Sequence, residues 1–154
     1  MPQKISKRLL EIVDALPLKS GMKVLEIGCG TGVAAREIAN RFDNMYILAI
    51  DRSPKAIEQA KKNCKAEMKS GKLKFVQAKI EEFALPETEG LFDIAFAIRV
   101  GALDGRHPEI EKQAFNNISK ALKKNGKLFI DGGEPLKVVK LKSNTQLITI
   151  AKSK

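Results

Sequence analysis

The stretch Val24-Leu25-Glu26-Ile27-Gly28-Cys29-Gly30-Thr31-Gly32 runs a short apolar segment straight into a glycine-rich turn. A run of that length bounded by turn residues reads as a buried strand. The periodic segment from Val33 to Phe42 that follows reads as a helix. Strand, glycine turn and helix in that order begin an open α/β sheet, whose ligands bind at the carboxyl ends of the strands beside the switch point. Glycines there let the backbone come close to a ligand and adopt positive φ.

Three details narrow the ligand. A dinucleotide fingerprint places its third glycine at position 33, where this chain has Val33. Glu26 stands just before the turn; a carboxylate there repels a pyrophosphate and suits a ligand bearing an ammonium and a sulfonium. Asp51 ends the second apolar run, where an acid can accept hydrogen bonds from both ribose hydroxyls. No lysine follows the glycines as a phosphate loop requires. A nucleoside with cationic substituents and no phosphate meets all of these conditions, and S-adenosylmethionine is such a molecule.

Outward from this turn, Ile5 to Leu16 is amphipathic, with Ile5, Leu9, Ile12, Val13 and Leu16 on one face. Met45 to Ile50 is a nearly continuous apolar strand, as in a parallel sheet covered on both faces. Ser53 and Pro54 form a helix start, and that helix is expected to reach about Ser70, with Gly71 as its left-handed stop. Leu73 to Gln77 is a third strand, Glu81 to Leu85 a short helical turn, and Phe92 to Ile98 a fourth strand. Pro108 opens a helix expected to last until Gly126, and Lys127 to Ile130 is a fifth strand. Leu136 to Leu141 and Gln146 to Ala151 alternate around Ser143 and Asn144, the pattern of an antiparallel hairpin. The alternation of strands and helices predicts one α/β domain with a mostly parallel sheet between helical layers. It divides into a helix over 1–19, a ligand-binding core over 20–131 and a hairpin over 132–154.

With 154 residues, the chain has the length of one domain, and its 44% hydrophobic content is enough for a core. No apolar run approaches the roughly 20 residues of a spanning helix, and the charged residues of the first segment do not suit a secretory signal; a cytoplasmic protein is expected. Cys29 and Cys64 are too few for a disulfide scaffold, and no Cys/His cluster has metal-ligand spacing. The net charge of +10 raises RNA as a partner. Eight lysines fall within residues 55–79, and five within 135–154. They are spaced as solvated faces are, and the few aromatics offer no stacking platform. Self-association into a homodimer is left open.

The segment VLEIGCGTG (Val24 to Gly32) resembles the first motif of class I S-adenosylmethionine-dependent methyltransferases. Asp51, FVQAKI (Phe75 to Ile80), FDIAFAI (Phe92 to Ile98) and ALKKNGKLFI (Ala121 to Ile130) fall where that family has its later motifs. The resemblance covers roughly residues 20 to 131. It implies a three-layer α/β sandwich with a seven-stranded sheet whose last two strands form the terminal antiparallel hairpin. It further implies that Glu26 and the glycines Gly28, Gly30 and Gly32, with Cys29 between them, face the methionine portion of the cofactor. Asp51 would hold the ribose with Arg52 beside it, Lys79 and Ile80 would border the adenine, and Ala97 would close the fourth strand's end. Lys79 stands where the family often has an acid. Lysine offers no acceptor, so adenine recognition is expected to use backbone near Ile80 or the acid Glu81. Only about fifteen residues separate the fifth strand from the hairpin turn, so the family's usual helix there is largely absent.

Methyl transfer from a sulfonium needs positioning and desolvation more than acid–base work. The loop after the fourth strand, Arg99 to Pro108, gathers two arginines, Asp104 and the chain's one histidine. Arg99 and His107 are the candidate catalytic residues; a histidine can deprotonate a hydroxyl or amine near neutral pH. No Pro-Pro-aromatic tetrapeptide or Pro-Cys pair points to DNA adenine or a pyrimidine ring, and Asp131 alone makes no metal site. The expected acceptor is therefore an O, N or S atom, with a small molecule, anionic in view of the arginines, ahead of RNA or protein. The alternative is a non-catalytic cofactor-binding module or subunit of a larger assembly.

Overall fold

The protein is described by a computed structural model covering residues 4–103, 105–139 and 141. Ser6 accepts a hydrogen bond from the Leu9 N–H at 3.2 Å and starts α1 (Lys7–Ala15), which buries Ile12 and Val13. β1 (Lys23–Ile27) leads through the glycine turn into α2 (Val33–Ala39). β2 (Tyr46–Asp51) is followed by α3 (Pro54–Asn63), where Ser53 Oγ accepts the Ala56 N–H at 3.1 Å. A hydroxyl before a first-turn proline satisfies one of the orphan donors of the helix start.

The single helix expected to reach Ser70 breaks at Cys64. That residue leaves helical geometry at φ −123° and ψ 34° and turns its thiol toward the Gly32 carbonyl. α4 (Lys65–Lys69) continues beyond the break, and Gly71 takes φ 84° as the stop. β3 (Leu73–Gln77), a single 3₁₀ turn at Ile80–Glu82, and β4 (Phe92–Ala97) come next. α5 (Pro108–Ala121) ends five residues before Gly126, and β5 (Leu122–Asp131) begins correspondingly early. The reason is packing. Leu122, 7% exposed, drops back into the core opposite Phe92, and Lys123 to Asn125 arch out into solvent before the ladder resumes at Lys127 opposite Ile94.

The described strands form one six-stranded sheet in the order β3-β2-β1-β4-β5-β6. All neighbours are parallel except β5 and β6 (Leu136–Val139), which pair antiparallel from Leu128↔Val139 to Asp131↔Leu136. β6 falls within the first arm of the expected hairpin, Leu136–Leu141, and also pairs antiparallel with β5; the second arm, Gln146–Ala151, lies outside the described residues. β1 and β4 are adjacent, so the chain reverses its direction of travel across the sheet between them. A consistent crossover hand then requires the helices to change faces. They do: α1 to α4 cover the face presenting Val24, Ile47, Phe75 and Phe96, and α5 covers the face presenting Leu25, Leu48, Ala95 and Leu128.

The amino ends of the strands are closed by a polar clamp. Lys23 Nζ donates to the Glu89 carbonyl and lies 5.3 Å and 4.8 Å from the ring centres of Tyr46 and Phe92. Tyr46 OH donates to Glu89 Oε2 at 3.1 Å, and the Lys23 N–H to Asp93 Oδ2 at 2.8 Å. Among the described residues no helix is long and apolar enough to cross a membrane.

Candidate functional site

At the opposite, carboxyl end of the sheet, the switch point between β1 and β4 opens into a cleft of about 180 Å³. Ile27 and Gly28 line it from β1, and Ile50, Asp51 and Arg52 from β2. The segments after β3 and β4 supply the other walls. This is where an open parallel sheet leaves strand ends uncovered by crossing helices.

The glycine loop turns its N–H groups inward. Those of Gly28 and Cys29 both donate to the Ile50 carbonyl, at 2.8 and 2.9 Å. Gly30 N–H donates to Asp51 Oδ2 at 2.8 Å, and Gly32 N–H to the Cys29 carbonyl at 3.0 Å. A phosphate-binding loop presents such donors to its ligand. Here they are engaged within the loop and with β2, so the loop offers bare glycine backbone and carboxylates, not an anion cradle.

The glycines divide in role. A side chain added at Gly30, φ 56°, would meet nothing within 4 Å, so its backbone faces open space. At Gly32, φ 85°, a Cβ would fall 2.8 Å from Phe75 Cζ and 3.2 Å from both Ala60 Cβ and Cys64 Sγ; this glycine lets α2 and α3 close on the sheet. At Gly28 the neighbour is Val100 Cγ2, 2.7 Å from an added Cβ, so the loop after β4 folds over the glycine turn. Cys29 and Cys64 are buried free thiols. Burial pushes both up, Cys64 to about 11, which keeps them unreactive thiols.

Two carboxylates stand near this end of the sheet: Asp51 lines the cleft, whereas Glu26 is buried and is not among the lining residues. Glu26 is 5% exposed, and its Oε1 has no hydrogen-bond partner among the described residues. Burial, reinforced by the negative charge of Asp51, raises its carboxyl from 4.5 to about 8. Asp51 is half-buried and accepts two backbone donors, Gly30 N–H on Oδ2 and Ser53 N–H on Oδ1 at 2.9 Å. Each oxygen keeps a further lone pair for a hydroxyl.

Ala78 to Glu81 form the wall after β3, with Ile80 buried as its apolar floor and Lys79 exposed at the mouth. Asn117 of α5 donates to the Ile80 carbonyl at 2.9 Å and fixes this wall. Arg99 to Ala102 form the wall after β4. Gly28, Asp51, Arg52, Lys79, Ile80 and Arg99 are thus brought together. Ala97 ends β4 facing an adjoining cleft, and His107, exposed at the amino end of α5, lines neither one. Two contributors carry no sequence signal: Asn117, which fixes the wall after β3, and Lys137, which lines the adjoining cleft, look like ordinary helix and strand residues until the fold places them.

Residues 18–152 match the family described as "Methyltransferase domain". This chain belongs to that family. The domain is 34% identical to an O-methyltransferase of Pyrenophora dematioidea across 79% of its length, covering 43% of that protein. It is 31% identical to a sterol 24-C-methyltransferase of Gibberella zeae, covering 80% of this chain and 31% of the relative. A solved S-adenosylmethionine-dependent methyltransferase from Thiobacillus denitrificans, in complex with S-adenosyl-L-homocysteine, superposes with a TM-score of 0.64 at 21% identity over 82% of this chain and 48% of the other. The chain spans less than half the length of each of these proteins. The fold is that of the class I S-adenosylmethionine-dependent methyltransferases. The site suits that cofactor: an unpartnered buried carboxylate oxygen, open backbone at Gly30, and no free phosphate cradle among Gly28, Cys29, Gly30 and Gly32.

Proposed function

We propose that this methyltransferase domain binds S-adenosylmethionine in the switch-point cleft and transfers its methyl group to a small-molecule acceptor. The observation that carries the reading is the buried, unpartnered Glu26 carboxyl beside Asp51, at a glycine turn whose donors are already engaged. Burying a carboxylate without a partner costs several kcal/mol, a cost that a cationic ligand offsets. When bound, the cofactor supplies a methyl group on a positively charged sulfur, already activated for in-line displacement.

The residues divide the remaining work. Glu26 receives an ammonium on Oε1, Asp51 accepts ribose hydroxyls on its free lone pairs, and Gly30 allows backbone approach. Ile80 packs against the adenine, with Glu81 and nearby backbone available to its amino group. Arg99 and the residues after it form the acceptor side. Of the two candidate catalytic residues, Arg99 stands on the cleft wall, and His107 needs movement of its loop to act as a base. The resemblance to both an O- and a C-methyltransferase supports methyl transfer without fixing the acceptor atom.

Only four residues, 132–135, join β5 to β6, so no helix covers the acceptor side there. That supports the second reading, a cofactor-binding subunit of a larger assembly. Calorimetry with S-adenosylmethionine, S-adenosylhomocysteine and NAD, followed by a methyl-acceptor screen, separates the readings. Binding of the first two without NAD, together with turnover, is the expected result. Binding without turnover of any acceptor favours the subunit, and NAD binding refutes the cofactor assignment.

A further inference from the structure

A second cleft, of about 440 Å³, opens at the carboxyl ends of β4 and β5. Its base is apolar: Ala97 and Leu103 are buried and Ile130 half-buried. Among the described residues its polar lining consists of Arg99, Arg106, Lys137 and the carboxylate of Asp131. Among the described residues no carboxylate pairs with Arg99 or Lys137. Arg99, Val100 and Gly101 line both clefts, so the two compartments share a wall.

That wall is held in an unusual conformation. Arg99 has φ 55°, the only non-glycine residue with positive φ among the described residues, and its N–H donates to Asp131 Oδ1 at 3.2 Å. Left-handed backbone at a residue with a side chain persists where its surroundings enforce it, commonly beside functional sites. Asp131 thus fixes the backbone of Arg99 through one of its oxygens.

Building on the methyl-transfer reading, we propose that the second cleft holds the acceptor and selects one carrying a carboxylate or phosphate group on a compact apolar body. Oxyanions form charge-assisted, bidentate hydrogen bonds with guanidinium groups. The apolar base accommodates the body of the ligand, as in mixed small-molecule sites. Arg106 and Lys137 line the second cleft alone. An oxyanion held by them leaves the rest of the molecule to reach the shared wall, where Gly101 has open space beside its backbone.

The test is titration calorimetry on the full chain at low ionic strength with benzoate, phenyl phosphate and benzyl alcohol, three probes with the same ring. Each is measured with and without saturating S-adenosylhomocysteine, in wild type and in Arg106→Gln and Lys137→Gln. Both substituted residues are exposed, so the variants are expected to fold. Benzoate or phenyl phosphate should bind about tenfold or more tightly than benzyl alcohol, and the better of the two identifies the oxyanion. Each variant should weaken the anion several-fold and leave S-adenosylhomocysteine affinity unchanged, with both ligands bound together. Equal binding of benzyl alcohol, no anion binding, displacement by S-adenosylhomocysteine, or anion affinity unchanged in both variants would each overturn the proposal. Variant-sensitive anion binding in a protein that does not bind S-adenosylhomocysteine supports the anion site and refutes the cofactor reading, so the two fail separately.

Discussion

Replacing Glu26 by glutamine probes the most unusual group in the molecule. Its carboxyl is held at about 8 instead of 4.5, by burial first and by the charge of Asp51 second. The folded protein therefore keeps a proton that the unfolded chain releases above pH 4.5. The stability associated with that proton is fully present below pH 4.5 and is lost progressively as pH rises to about 8. At about 1.4 kcal/mol per pH unit, the loss across that window is about 5 kcal/mol, a large part of the stability of a domain. Glutamine does not titrate, so Glu26→Gln should unfold with a much flatter dependence on pH, and its advantage over wild type should grow from pH 5 to pH 8. Urea unfolding of cofactor-free protein at several pH values in this range measures it, with comparison of slopes cancelling the constant cost of an unpaired amide. The same variant should bind S-adenosylhomocysteine, which retains the ammonium, more weakly than wild type. Wild-type binding should release a proton near pH 7, visible as different heats in buffers of different ionisation enthalpy. Parallel stability curves for the two proteins would refute the account of Glu26 as a buried neutral acid awaiting a cation.

Asp51→Asn keeps the shape but gives up charge and one acceptor oxygen; S-adenosylhomocysteine affinity should fall by roughly 1.5–3 kcal/mol by calorimetry, and an unchanged value would remove Asp51 from ribose binding. Gly30→Ala should still fold, at a cost of about 1–2 kcal/mol in left-handed strain, and should weaken cofactor binding, since its side chain would enter open space at φ 56°. Gly32→Ala should instead unfold more easily by about 2–4 kcal/mol, from overpacking against Phe75 together with left-handed strain; thermal melts and calorimetry on the pair separate packing from binding. Lys23→Ala, at the far end of the strands, should cost about 1–2 kcal/mol of stability through its lost hydrogen bond and ring contacts, with S-adenosylhomocysteine affinity as in wild type.

What the sequence determined by itself was the part encoded locally. The apolar runs at 23–27, 46–51 and 92–97 are strands because their apolar residues serve both covered faces of a parallel sheet, whereas 73–77, at the sheet's edge, buries Leu73 and Phe75 on one face. The Ser6 and Ser53 caps and the Gly71 stop are readable because a hydroxyl or a missing Cβ acts within a few residues of itself. The first-motif spacing and the acids Glu26 and Asp51 pointed to a cationic nucleoside for the same reason, since charge and residue type are visible without coordinates. Contacts between distant segments were not. The break at Cys64 and the early end of α5 were decided by packing partners that lie far off in the chain, and the pairing of β6 with β5 left no mark in the alternation of either strand. Tertiary structure also distinguished glycines that look alike in sequence, placing Gly30 at open space and Gly32 against Phe75. It put Arg99 on a wall shared by two clefts, left His107 outside both, and added Lys137 from a strand that reads as ordinary. A side chain's chemistry is fixed by its identity, but what it faces is fixed by which strands become neighbours, and that is a property of the whole sheet.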